Sequence, residues 1–313
     1  MSSSGHILDA GQEANPEVSG ELAPEALIMQ FGVHSLLFTE AFVEKDLPLL
    51  DKCKQMGFDA VEILPFDPDN FPARKVKQAA ADLGLTINTG YGMPERYNII
   101  SPDEKIRKDG IEFSKRLIDL SNEAGARVFG GMIYCGWGYL TGRMRTEQEW
   151  KWGVEGYQEI AAYAQSTSDL ILGIEPVNRF ESHFINIAAD AVKFIQDVGL
   201  PNVKVHLDTF HMIREEDDIA QAVLATGAHV GYVHACENQR GVPGRGLMPW
   251  WDFFGALRQI GYDGCITIES FDPDMPGIAK LCCIWRKLAD SPEQLATEGL
   301  SYLKAMYEQV YAN

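Results

Sequence analysis

Positive charge is what this sequence has least of: 27 Lys and Arg stand against 45 Asp and Glu, leaving a formal net charge of −18 over 313 residues. Binding to DNA or RNA draws much of its affinity from Lys and Arg facing phosphates, so a nucleic-acid partner is not expected. An anionic membrane surface is disfavoured for the same reason. Apolar runs are short as well. None approaches the roughly 18 residues that span a bilayer. Residues 1–26 have neither a basic start nor a continuous apolar segment, so they do not read as a secretory signal. The six cysteines (Cys53, Cys135, Cys236, Cys265, Cys282 and Cys283) form no C-x-x-C pair and no zinc-ligand spacing. Most lie in apolar runs such as G-C-I-T-I-E, which reads as small buried hydrophobes in a reducing, cytoplasmic compartment. No G-x-G-x-x-G or G-x-x-x-x-G-K-[ST] loop follows an apolar run, which argues against dinucleotide and P-loop folds.

What is present is rhythm. From Leu27 onward, strand-like apolar runs at 27–33, 60–65, 86–91, 127–134, 170–177, 203–209, 230–236 and 265–270 alternate with amphipathic helical segments. Several helical segments close in Gly just before the next strand, as in Q-M-G-F, D-L-G-L, D-V-G-L and Q-I-G-Y-D-G. Eight such units, with no composition break or linker between them, predict an α/β fold: a (β/α)8 TIM barrel forming one catalytic domain over residues 27–313. A doubly wound open sheet is the competing architecture. Residues 1–26 read as a flexible or surface-draped N-terminal extension. The stretch from Ile278 to Tyr311 reads as long and helical, placed to cover or flank the barrel.

Barrel enzymes carry their active sites at the C-terminal ends of the strands. There the sequence places Glu175, Asp208, His234 and Glu269, ending strands five to eight in L-G-I-E, V-H-L-D, G-Y-V-H and T-I-E. Each alone has an ordinary explanation, such as a helix cap or a hydrogen-bonded core residue. As a set they differ, because three convergent carboxylates repel one another unless a cation neutralises them. Mixed oxygen and nitrogen donors without thiolate suit Mn²⁺, Mg²⁺ or Co²⁺ better than structural zinc. A second tier follows the same strand ends: Glu181, His211 and Arg240, with Glu62 and Trp137 within reach of the same mouth. Polar groups beside an indole make a sugar pocket, the aromatic face covering C–H surface while side chains bond hydroxyls. The loop G-V-P-G-R-G after Arg240 is a weak candidate for a phosphate cradle.

These residues resemble the D-tagatose 3-epimerase and D-psicose (D-allulose) 3-epimerase family of xylose-isomerase-like barrels. The match rests on E-P-V-N-R-F-E (175–181), L-D-T-F-H-M (207–212), the His234-to-Arg240 spacing, L-M-P-W-W-D-F-F-G-A-L (247–257), I-G-Y-D-G (260–264) and I-E-S-F (268–271). It is dense in the second half of the barrel and general in the first. The resemblance implies that Glu175, Asp208, His234 and Glu269 bind the metal, usually Mn²⁺. It also implies that Glu181, His211 and Arg240 hold the sugar near its carbonyl end, and that the chain assembles as a homodimer or homotetramer. One departure stands out. The first strand reads F-G-V-H-S where the family often has an aromatic, so His34 is expected to alter contacts with the sugar.

Epimerisation beside a ketone needs a C–H proton removed from one face and returned to the other. Glu175 and Glu269 are the expected acid–base pair, and a free, unphosphorylated ketose the expected substrate. Three alternatives remain at this point. One is another metal-dependent sugar enzyme on the same scaffold: a ketose isomerase, an inosose-type enzyme or a C-glycoside-cleaving subunit. The others are a DNA-repair endonuclease of the related barrel fold and a non-catalytic sugar-binding protein.

Overall fold

The computed structural model describes residues 29–311, so the predicted extension over 1–26 lies outside the described residues. Eight parallel strands close into a barrel in chain order: β1 (Gln30–His34), β2 (Ala60–Ile63), β3 (Thr86–Gly90), β4 (Ala126–Gly130), β5 (Ile171–Ile174), β6 (Val203–Asp208), β7 (Val230–Ala235) and β8 (Cys265–Ile268). β8 pairs with β1 and completes the ring. Around it lie α1 (Pro48–Gln55), α2 (Ala73–Leu83), α3 (Glu104–Glu123), α4 (Glu147–Thr167), α5 (Ala188–Val198), α6 (Thr209–Glu215), α7 (Ile219–Thr226), α8 (Trp250–Gln259), α9 (Pro276–Leu281) and α10 (Pro292–Tyr311).

The strand period of two explains what the barrel encloses. Val33, Val61, Phe129, Leu172, Leu207, Val233 and Ile266 belong to the large core between barrel and helices. Their alternates Ala60, Val128, Tyr232 and Cys265 form a separate cluster, the floor of the barrel interior. Continuing the inward parity along each strand reaches His34, Glu62, Asp208 and His234. One step past the strand ends it reaches Glu175 and Glu269. The candidate residues therefore form the uppermost inward layer, at the C-terminal mouth.

Helix ends follow local chemistry. α2 and α5 stop at Gly84 and Gly199 with φ of 62° and 74°, left-handed positions that favour glycine. α4 starts in a capping box between Thr146 and Glu149. One expectation needs correcting. The segment from Ile278 to Tyr311 is two helices, because α9 ends at Leu281, Cys283 turns left-handed at φ 56°, and α10 begins only at Pro292. Ser291 Oγ accepts the Gln294 N–H and Pro292 opens α10, a Ser-Pro helix start. α9 packs over one side of the mouth, where Ile278 and Ile284 join Leu36, Leu64 and Phe271 in a small apolar cluster.

Candidate active site

β6 and β7 deliver two of the four central residues side by side, Asp208 opposite His234 in the ladder. Glu175 and Glu269 sit one residue beyond β5 and β8, where the chain has left the sheet but keeps the inward direction. One donor atom from each of the four lies within 4.8 Å of the others, close enough to hold a metal ion. Asp208 has both roles open to a carboxylate there. Its Oδ1 accepts the Phe210 N–H at 2.7 Å and caps α6, while Oδ2 faces the site. His234 Nδ1 points at the three carboxylates, 3.4 Å from Glu269, 3.8 Å from Glu175 and 3.9 Å from Asp208. It is buried and makes no hydrogen bond. A buried, unpaired imidazole nitrogen beside three carboxylate groups is a donor set that fits a divalent cation.

The electrostatics of this cluster are strongly uneven. Burial pushes the Glu175 carboxyl well above the ordinary range, and Asp208 and Glu269 push the same way. Burial also acts against ionised Glu269, but Arg240 and His234 outweigh it and hold that carboxyl well below the usual range. Burial likewise disfavours charged His234, yet Glu62 and Glu269 raise it well above an ordinary imidazole.

Arg240 reaches in from the loop after β7. Its Nη1 donates to Asp208 Oδ2 at 2.7 Å and also contacts Glu269 Oε2. The guanidinium lies over the Phe210 ring, 3.8 Å from its centre. His211, in α6, accepts the Asn178 N–H at Nδ1, which leaves Nε2 to carry the proton, 3.6 Å from both Glu175 and Asp208. Glu181 is fixed at both oxygens, by Trp137 Nε1 at 2.9 Å and Asn178 Nδ2 at 2.8 Å. Trp137 is thus a wall of the cleft, and it also packs against the main core. His34 accepts the Leu36 N–H at Nδ1, so its Nε2–H faces inward, 4.0 Å from Glu269 Oε1. Arg240, His211, Glu181, Trp137 and His34 line one cleft, whose other walls include the apolar groups Leu64, Phe66, Met132 and Phe271. Glu62 borders the cleft too, but its Oε2 is bonded to His234 and Tyr232.

Two residues escape the sequence reading. His206 is fully buried one inward step below Asp208. Both its ring nitrogens lack a hydrogen bond, and Nδ1 lies 3.9 Å from Glu175. The alternation V-H-L-D was the signal, since it puts His206 and Asp208 on one face of β6. Glu237 is also fully buried and accepts the Gly244 N–H and Trp250 Nε1–H, each at 2.7 Å, and the Met248 N–H at 3.3 Å. It ties down the G-V-P-G-R-G loop and occupies N–H groups that a phosphate cradle would need.

Comparison with known proteins agrees with this geometry. A family described as "Xylose isomerase-like TIM barrel" matches residues 50–306. An L-ribulose 3-epimerase from a Methylomonas species is 33% identical over 253 residues, covering 80% of this chain and 88% of that protein. A D-psicose 3-epimerase from Ruminiclostridium cellulolyticum is 32% identical over 271 residues, covering 85% and 92%. A solved structure of L-ribulose 3-epimerase superposes with a TM-score of 0.87 at 30% identity, covering 91% of this chain and 96% of the other. The chain belongs to the xylose isomerase-like TIM barrel family and is an enzyme of the isomerase class, grouping there with the ketose 3-epimerases.

Proposed function

We propose that this enzyme is a divalent-metal-dependent ketose 3-epimerase acting on free ketohexoses, of the D-fructose/D-psicose and D-tagatose/D-sorbose kind. The observation that carries the reading is the convergence of Glu175 and Glu269, from β5 and β8, on the same small volume as Asp208 and His234. Those four residues would hold the cation, Mn²⁺ first, with Co²⁺ and Mg²⁺ as alternatives. A bound divalent cation supplies Lewis-acid stabilisation of the negative charge that develops when a proton leaves the carbon beside a carbonyl.

The protein's own groups do the rest. Glu175 and Glu269 approach from different strands, so one removes the C3 proton from one face of the sugar and the other delivers a proton to the opposite face. The reverse reaction exchanges their roles. Glu181, His211 and Arg240 bind the carbonyl end. Glu181 is pre-positioned by Trp137 and Asn178, so it loses little freedom when a hydroxyl arrives. The Trp137 indole covers the sugar's C–H surface, and His34 Nε2–H offers a donor beside Glu269. Assembly as a homodimer or homotetramer is part of the same reading, resting on the resemblance to the ketose 3-epimerases.

The test is incubation of the Mn²⁺-loaded enzyme with a panel of free ketoses in D₂O, followed by NMR location of the label. Deuterium at C3, with the C3 epimer appearing, is the expected result. Label at C1 or C4 would assign a different isomerisation.

A further inference from the structure

Behind His234, on the side away from the carboxylate cluster, lies a closed chain of buried hydrogen bonds. Glu62 Oε2 is 2.6 Å from His234 Nε2 and accepts the Tyr232 hydroxyl at 2.7 Å. That hydroxyl is in turn 2.6 Å from Thr267 Oγ1. Glu62, Tyr232, His234 and Thr267 are all 2% exposed or less, so no solvent competes for these bonds. The backbone of β3 makes room for the carboxylate: a Cβ on Gly90 would stand 2.5 Å from Glu62 Oε1.

The chain fixes one side of the imidazole and thereby decides the other. A carboxylate only accepts, so His234 carries a proton on Nε2. Nδ1, which has no hydrogen bond of its own, is left to face Glu175, Asp208 and Glu269. A carboxylate behind a ligating histidine orients the ring and makes it a better donor. The Tyr232 hydroxyl keeps Glu62 from rotating away. This use of Glu62 runs through Oε2, which already has two partners in His234 and Tyr232.

We propose that Glu62 is a positioning residue, holding His234 with Nδ1 turned to the carboxylate cluster and so setting the affinity of that cluster for a divalent cation. This rests on the metal-dependent reading above and assigns Glu62 to the metal site rather than to the sugar.

The experiment measures Mn²⁺ affinity directly, by calorimetry on chelator-stripped protein, for wild type, Glu62→Gln and Tyr232→Phe. Gln keeps the shape but removes the charge, and its amide can donate to Nε2, which would move the histidine proton onto Nδ1. Mn²⁺ affinity should fall about 10- to 100-fold in Glu62→Gln, and by a smaller factor in Tyr232→Phe. At saturating Mn²⁺ the KM for ketose should stay within about twofold of wild type. Unchanged Mn²⁺ affinity with a raised KM would overturn the proposal and make Glu62 a sugar contact. If Glu62→Gln fails to fold, Tyr232→Phe decides: wild-type Mn²⁺ affinity there overturns the proposal. Wild type that binds no Mn²⁺ would fail the metal-dependent reading itself. Wild type that binds while both variants match it would fail only this assignment.

Discussion

Arg240 Nη1 lies 2.7 Å from Asp208 Oδ2, which places a guanidinium inside the cluster of carboxylates that would hold a cation. The same side chain touches Glu269 and packs over Phe210, and its backbone takes φ 63°, a conformation rarely adopted outside glycine. Arg240 is therefore a fixed internal counter-ion as well as a candidate sugar contact. Arg240→Met, which keeps the stem and removes the charge, leaves buried carboxylates without their partner. Metal-free protein should lose about 3–5 kcal/mol of stability, and Mn²⁺ should raise its melting temperature more than it raises that of wild type. Equal melting temperatures for the two metal-free proteins would show that Arg240 does not balance this charge.

Chelation should abolish activity and lower the melting temperature, and titration with Mn²⁺ should restore both. Ligand-linked stabilisation reaches about 2.7 kcal/mol at a hundredfold excess over Kd, enough for a clear shift in a thermal melt. Turnover that survives exhaustive chelation, with no metal found by elemental analysis, would remove the cation from the mechanism.

The two-carboxylate reading makes a sharper demand than loss of rate. Glu175→Gln and Glu269→Gln should each lower kcat on the order of 10²- to 10⁴-fold, with metal content measured alongside, since a lost ligand imitates a lost base. Each variant should also keep the ability to exchange the C3 proton of one epimer with D₂O while failing to interconvert the pair. A variant that loses exchange with both epimers yet retains metal would argue for one shared base.

A stability prediction lies on the outside of the barrel. Glu149, buried at the start of α4, receives both Arg143 Nη atoms at 2.8 and 2.9 Å and the Thr146 N–H at 2.7 Å. Burial opposes its charge, but these bonds win and lower its carboxyl from 4.5 to about 2. A depressed pKa in the folded state stabilises the fold above the unfolded value and ceases to do so as pH falls through the folded one. The melting temperature of Glu149→Gln should therefore lie below wild type by at least about 2 °C near neutrality, in line with a lost cap. The gap should close between pH 4.5 and 2. A gap independent of pH would mean that packing, not charge, is what Glu149 contributes.

The barrel was legible because each strand and the helix after it, several of them closed by Gly, leave a period in the sequence, and the four central residues because they end apolar runs. What stayed hidden depends on distance in space. Glu62 and His234 belong to β2 and β7, and nothing local announces that they share a hydrogen bond. Glu237 sits in A-C-E-N-Q-R like any loop carboxylate, and its burial under residues 244–250 appears only on folding. His206 is readable in principle, since strand alternation in V-H-L-D puts it on the face of Asp208. The break between α9 and α10 was readable too, in the Ser291-Pro292 start.

The substrate should be an unphosphorylated ketose, and the structure sharpens the argument. Arg240 is the only Lys or Arg that lines the cleft among the described residues, against Glu62, Glu175, Glu181 and Glu269. Its Nη1 is already engaged by Asp208 and Glu269. A phosphate brings roughly two negative charges at neutral pH. At about 4 Å from a carboxylate each unit pair costs about 4 kcal/mol at an effective dielectric near 20. Barrels that bind phosphate usually answer with backbone N–H groups from the loops after β7 and β8 and a short helix N-terminus. Here the N–H groups of Gly244 and Met248 are held by Glu237, and the loop after β8 carries Asp272 and Asp274. Leu64, Phe66 and Phe271 add apolar wall to the cleft and no charge of their own to pair with a phosphate. Measured side by side, kcat/KM for a free ketohexose should exceed that for its 1-phosphate and 6-phosphate esters by at least about 10²-fold, the ratio equivalent to roughly 2.7 kcal/mol. A preference for either ester would place the enzyme among sugar-phosphate isomerases and require a cation in the cleft other than Arg240.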